Sequence, residues 1–135
     1  MRQPALALAL VLFAPAPFAG PAAAQDCTAP QTQTDMNICA AKDFEAADKA
    51  LNATYRKLRK RIKHNADYTG ALIKAQRAWI AYRDANCAFQ SIGSVGGTIH
   101  PLLVAECQAG MTETRTKELQ SLLNCEEGDP TCMLP

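Results

Sequence analysis

The sequence predicts an all-α protein: a compact antiparallel bundle of three main helices braced by disulfides. Three observations carry that expectation. Apolar residues recur at spacings of three and four over three long segments, the connections between those segments are short, and the chain has 6 cysteines behind an export-type leader.

Met1 to Ala24 has the layout of a secretory signal peptide. Arg2 gives a positive start, Ala5 to Phe13 an apolar run, and Ala22, Ala23 and Ala24 a small-residue cleavage site. The apolar run is short and is followed by Pro15, Pro17 and Pro21, so it cannot span a bilayer core of about 30 Å as a helix. A mature protein beginning near Gln25, periplasmic or secreted and without a transmembrane anchor, is expected. It is one domain of about 110 residues, divided into a helical part, 25–124, and a cysteine-containing tail, 125–135. Arg2 is one of 14 Lys and Arg residues set against 13 Asp and Glu. The segment after the leader is therefore charge-balanced, so strong whole-molecule steering toward nucleic acid or a membrane is not expected.

Cys27, Cys39, Cys87, Cys107, Cys125 and Cys132 all follow the leader. Fifteen pairings are possible. Nearest neighbours, Cys27 with Cys39, Cys87 with Cys107 and Cys125 with Cys132, are the expected set because each closes a short loop between element ends. Zinc is not expected, since no Cys-x-x-Cys pair occurs and His64 and His100 lie far from any two cysteines.

After a polar lead-in, Thr34 is the expected N-cap of a first helix over residues 35–63. Its stripe is Met36, Ala40, Phe44, Ala47, Leu51, Tyr55, Leu58 and Ile62. The helix ends in a basic run from Arg56 to Lys63, which complements the macrodipole or, alternatively, meets an anionic partner.

A turn at His64–Tyr68 leads, with Asp67 or Thr69 as cap, into a second helix ending near Gln90. On its wheel Leu72, Ala75, Trp79, Tyr82, Asn86 and Phe89 fall on one side, widened by Ile73, Ile80 and Cys87, while Lys74, Arg77 and Asp84 point away. Ser91 to Thr98 is rich in small residues and reads as a flexible loop. It lacks the Gly-Lys-Ser/Thr ending of a phosphate-binding loop. Pro101 suits the first turn of a third helix that turns Val104, Cys107, Met111, Leu119 and Leu122 inward and ends near Asn124, with Gly110 marking a weak point or a close approach.

The inner faces also hold charge: Asp48 on the first helix, Gln76 and Arg83 on the second, Arg115 and Glu118 on the third. A buried arginine needs a partner. Either Asp48 or Glu118 is expected to take Arg83 in bidentate fashion, with the other acid meeting Arg115, in a network that fixes helix register. The arginines would hold both carboxylates ionised, which does not suit a general acid and base pair. No nucleophile setting, metal-ligand spacing or nucleotide motif is present, so neither an enzyme nor a cofactor is expected.

Several of these residues also form a pattern. Asp35-Met36-Asn37-x-Cys39-Ala40, Asp48-x-x-Leu51-Asn52-x-x-Tyr55, Ala75-Gln76-Arg77-Ala78-Trp79-x-x-Tyr82-Arg83-Asp84-x-x-Cys87 and Cys107 followed by Thr112-x-x-Arg115-x-x-x-Leu119 resemble the LprI-like lysozyme inhibitor domain. The resemblance runs from about Cys27 to Leu123 and implies a small helical envelope protein that binds lysozyme. On that basis the expected contacts with the enzyme's carboxylate-bearing glycan cleft are Arg77, Ser94, His100 and the backbone amides of Gly96 and Gly97. The alternative is a non-inhibitory periplasmic interaction or structural module that docks on another envelope protein.

Overall fold

The computed structural model describes residues 26–124, 128, 129 and 132. Three long helices, α1 (Gln33–Arg61), α2 (Ala66–Gln90) and α3 (His100–Leu123), make up the fold, with one 3₁₀ turn at Ile92–Ser94 between α2 and α3. No strand occurs among the described residues. The leader and the Cys125 half of the expected third disulfide lie outside them.

Helix α1 begins two residues earlier than the sequence reading placed it. Thr32, not Thr34, is the N-cap, because Asp35 completes a reciprocal pair with it. The Asp35 amide donates to Thr32 Oγ1, and the Thr32 amide donates to Asp35 Oδ2, both at 3.1 Å. Helix α2 likewise starts earlier, at Ala66. Asn65 rather than Asp67 or Thr69 caps it, its side-chain oxygen accepting from the amides of Asp67 and Tyr68 at 3.1 Å. The tight turn between them is held by the Asn65 amide and the Thr69 hydroxyl, both donating to Ile62 O. Helix α3 carries Pro101 in its first turn, where no intrahelical N–H is required.

Helices α1 and α3 run parallel with α2 antiparallel to both. At one end Asn37 Nδ2 donates to Thr98 O, and at the other Arg61 Nη1 donates to Leu123 O, pairs separated by 61 and 62 residues. This constant offset fixes one register along the whole α1–α3 contact, which is the most extensive in the molecule. Small residues permit it: Ala40, Ala47, Ala105 and Ala109 are buried, and Ala47 and Ala109 line one groove.

Below this alanine section, Leu51, Leu58 and Leu119 form the fully buried core, with Tyr55, Leu72, Trp79 and Leu122 packed around it. Burial of each such leucine contributes roughly 1.5–3 kcal/mol.

Two inner-face expectations need correction. Helix α2 buries only Gln76, Arg83 and Cys87 fully, whereas Tyr82 and Phe89 are 60% and 73% exposed and Ala75 and Ile80 are also exposed. The physical reason is that α1 and α3 approach so closely that α2 seats on them through a narrow stripe. Helix α3 serves two partners, so its most buried side is Ala105, Ala109, Thr112, Thr116 and Leu119. Val104, Cys107, Met111 and Leu122 are only half-buried.

The disulfides Cys27–Cys39 and Cys87–Cys107 are both formed, as the nearest-neighbour reading expected. The first pins the lead-in to α1, and the second clamps the base of the α2–α3 connection. Each closes a loop short enough to contribute about 3 kcal/mol in the chain-entropy account.

Candidate functional site

Two polar constellations are built on this frame, one inside the bundle and one at its α2–α3 end. Inside, the Arg83 guanidinium is the centre. Its Nε donates to Asp84 Oδ1 at 2.9 Å and its Nη1 to Thr112 Oγ1 at 3.3 Å, while Asp48 Oδ1 lies 3.6 Å from the same Nη1. The Phe44 and Trp79 rings lie 5.0 and 5.3 Å from its central carbon, within cation–π range.

Asp84 is therefore not merely on the wet face. It is half-exposed, yet it is the closest carboxylate to Arg83, and it also accepts from Gln108 Nε2 on α3. Asp48 does not hold Arg83 in bidentate fashion, because its other oxygen accepts from Asn52 Nδ2 at 2.7 Å. One α-helical turn brings Asn52 to Asp48 more cheaply than a reorientation of the carboxylate would.

Arg115 forms the second half of the constellation, with Nε donating to Gln76 Oε1 at 3.4 Å and Nη1 to Glu118 Oε2 at 2.8 Å. Its guanidinium also lies 5.9 Å from the Trp79 ring. Trp79 thus has an arginine from its own helix and one from α3 within reach. These residues form two clusters, Asp48 with Arg83, and Gln76 and Glu118 with Arg115, joined through the Trp79 ring, and no buried side-chain polar atom among the described residues lacks a partner. Together these contacts tie the three helices to one another.

The α2–α3 end is different in character. The sequence reading treated it as a flexible Gly-rich loop, but the structure shows a chain of short internal bonds. Ser91 Oγ donates to Cys87 O at 2.8 Å, Ser94 N and Oγ both donate to Ser91 O, and Gly97 N donates to Ser94 O. Gly96 takes φ +85°, the left-handed conformation that reverses the chain here and that glycine adopts without steric cost. Asn37 Nδ2 then ties the loop to α1 through Thr98 O.

Ser94 Oγ also lies 2.9 Å from His100 Nδ1. The single hydroxyl proton of Ser94 is directed to Ser91 O at 2.6 Å, so the imidazole is assigned as donor at Nδ1. In the neutral ring that leaves Nε2 as an acceptor. The Gly97 amide is occupied within the loop, whereas the Gly96 amide has no hydrogen-bond partner among the described residues.

Ser94, Gly96, Gly97 and His100 are thus brought together. Arg77 is not: it lies thirteen residues before the end of α2, about 20 Å along the helix axis, in a groove with Arg59 and Ile80.

Around the loop the surface is apolar. Phe89, Ile92 and Val95 are 73%, 66% and 68% exposed, with Ile99 and Leu103 beside them in sequence and also exposed. These residues were missed in the sequence reading, which had placed Phe89 in the core. The signal available there was four large apolar residues, Phe89, Ile92, Val95 and Ile99, inside a segment too short and polar to hold its own core. No group of three His, Cys, Asp or Glu side chains suited to a metal ion occurs among the described residues.

A family model described as lysozyme inhibitor LprI matches residues 23–119. The chain belongs to the LprI lysozyme inhibitor family. An uncharacterized protein of Rhizobium meliloti is 41% identical over 94% of this chain and 99% of its own length. The uncharacterized protein YecT of Escherichia coli is 29% identical over 73% of this chain and 70% of its own. The crystal structure of a DUF1311 family protein from Pseudomonas putida superposes with a TM-score of 0.61 at 23% identity, covering 68% of this chain and 93% of the other. That likeness carries the LprI fold. The family match stops at residue 119, so the Cys125 and Cys132 tail lies beyond it.

Proposed function

We propose that the protein is exported, loses its leader near Ala24, and inhibits lysozyme by placing the α2–α3 loop in the enzyme's glycan cleft. Membership of the LprI family supports the activity. The observation that carries the choice of surface is the pairing of an internally bonded loop with exposed Phe89, Ile92 and Val95 around it. A loop ordered before binding loses little conformational entropy on docking, and its apolar rim supplies the burial.

The cleft of a lysozyme carries one protonated and one ionised carboxyl group. His100 Nε2, an acceptor in the tautomer set by Ser94, suits the proton of the first, and the unpartnered Gly96 amide suits the second. The export reading is supported by the two disulfides and by the absence, among the described residues, of any helix long and apolar enough to cross a membrane.

The test is lysis of cell-wall suspensions by several lysozyme types in the presence of the oxidised mature protein. Dose-dependent slowing is expected, weakened at least tenfold by Val95→Asp while the helical circular dichroism is unchanged. If the folded, fully disulfide-bonded protein slows none of the enzymes, the inhibitory reading is wrong. If it inhibits but Val95→Asp has no effect, the inhibition stands and the loop is not the contact.

A further inference from the structure

Charge is separated along the bundle. The half that carries the α2–α3 loop holds Asp35, Asp43, Glu45, Asp84 and Glu106 against Lys42 and Arg83, and the opposite end holds the basic run of α1. Arg56, Arg59 and Lys60 occupy one face of α1 at helical spacing, Lys57 flanks them and Lys63 follows in the turn. All five are exposed, and none makes an ion pair among the described residues.

Arg77 joins them from α2, lining with Arg59 an open groove of about 260 Å³ whose other walls include Tyr55, Ile73 and Ile80. The acids of this end are Asp67, Glu113 and Glu118, the last already engaged by Arg115. The sequence beyond α3 adds Glu126, Glu127 and Asp129, and cations still outnumber acids across the two regions.

Compensation of the α1 dipole accounts for only part of this. That effect fades within the last helical turn, and the last-turn basic residues are Arg59, Lys60 and Arg61. Arg56, Lys57 and Arg77 lie outside that turn.

We propose that this cationic end is a docking surface for an anionic phospholipid bilayer. The cations are long, exposed and without fixed counter-groups, which suits a diffuse negative surface better than one placed anion. Apolar and aromatic groups stand among them, with Ile80 and Tyr68 at 39% and 40% exposure. A headgroup layer accommodates that mixture, whereas a phosphate chain in solution has no use for the apolar part. Docking by this end leaves the α2–α3 loop pointing away from the lipid.

The experiment is co-sedimentation of the full mature protein with vesicles of phosphatidylglycerol and phosphatidylcholine in equal parts, against vesicles of phosphatidylcholine alone. Binding to the anionic vesicles only is expected, lost as salt is raised. The combined variant Arg56→Gln, Lys60→Gln, Lys63→Gln should bind about a hundredfold more weakly, at about five-fold per cation. Lys42→Gln, a cation on the other half of α1, should change nothing. No sedimentation with anionic vesicles, salt-insensitive binding, or an unaffected triple variant would each overturn the proposal. So would binding to soluble polyphosphate with indifference to vesicles, which would reassign the surface to a polymer.

Discussion

The Asn37 side-chain amide donates to the carbonyl oxygen of Thr98 at 2.9 Å, across 61 residues of sequence. Asn37 lies in the second turn of α1, so its position is set by the capping box of Thr32 and Asp35 rather than by the loop it holds. The loop therefore takes its placement from α1, and the disulfide Cys87–Cys107 only closes its base. Asn37→Ala is expected to cost about 1 kcal/mol, the worth of one such hydrogen bond. It should also speed amide exchange across Gly96–Ile99 without affecting the middle of α2. Unchanged exchange in the loop would show that its internal bonds suffice.

Arg83 separates packing from charge. Its carboxylate partners Asp48 and Asp84 keep other donors and are nearly half-exposed, so they remain solvated if the guanidinium is removed. The Phe44 ring has no such substitute, and Trp79 keeps only the more distant Arg115, at 5.9 Å. Arg83→Ala is therefore expected to lower stability by about 3 kcal/mol in urea unfolding, and Arg83→Met, which keeps the stem, by about 1 kcal/mol. Equal losses for the two variants would mean that the ionic contacts, not the filled volume, dominate.

Gly110 lies inside α3, with no atom within 4 Å of where a Cβ would stand and no positive φ. The close approach considered from the sequence does not occur, because the alanines alone bring α1 and α3 together. Gly110→Ala should stabilise the protein by roughly 0.5–1 kcal/mol through the cost of glycine in a helix. Thermal unfolding of the single variant checks this, and a fall in melting temperature would reveal a packing constraint at Gly110.

The α1 stripe from Met36 to Ile62 was legible because one long helix packs along its whole length, so its apolar period maps directly onto burial. Helix α2 was legible in extent and not in facing. Its wheel placed Tyr82 and Phe89 with Trp79, but only a narrow stripe meets α1 and α3, and that width depends on the alanines of the other two helices. The caps at Thr32 and Asn65 were displaced by two residues or more because several Ser, Thr, Asn and Asp candidates stand close together and only reciprocal bonding chooses among them. Charged residues on the inner faces were visible from spacing. Their partners were not, since Asp84 reaches Arg83 from the neighbouring sequence position, which a helical wheel turns about 100° away. The loop's bonding was hidden for a different reason: small residues advertise freedom in sequence, while here their own hydroxyls and carbonyls satisfy one another.

The parallel register of α1 and α3 has a practical side. Cys27, tied to Cys39, fixes the entry of the chain at the loop end of the bundle, and Leu123, bonded through its carbonyl to Arg61, fixes the end of α3 at the cationic end. A bulky fusion partner placed before Cys27 would crowd the surface proposed for the enzyme and leave the surface proposed for lipid clear, and one placed after α3 would do the reverse. Two such fusions, assayed side by side, dissect the two surfaces without altering a residue of either.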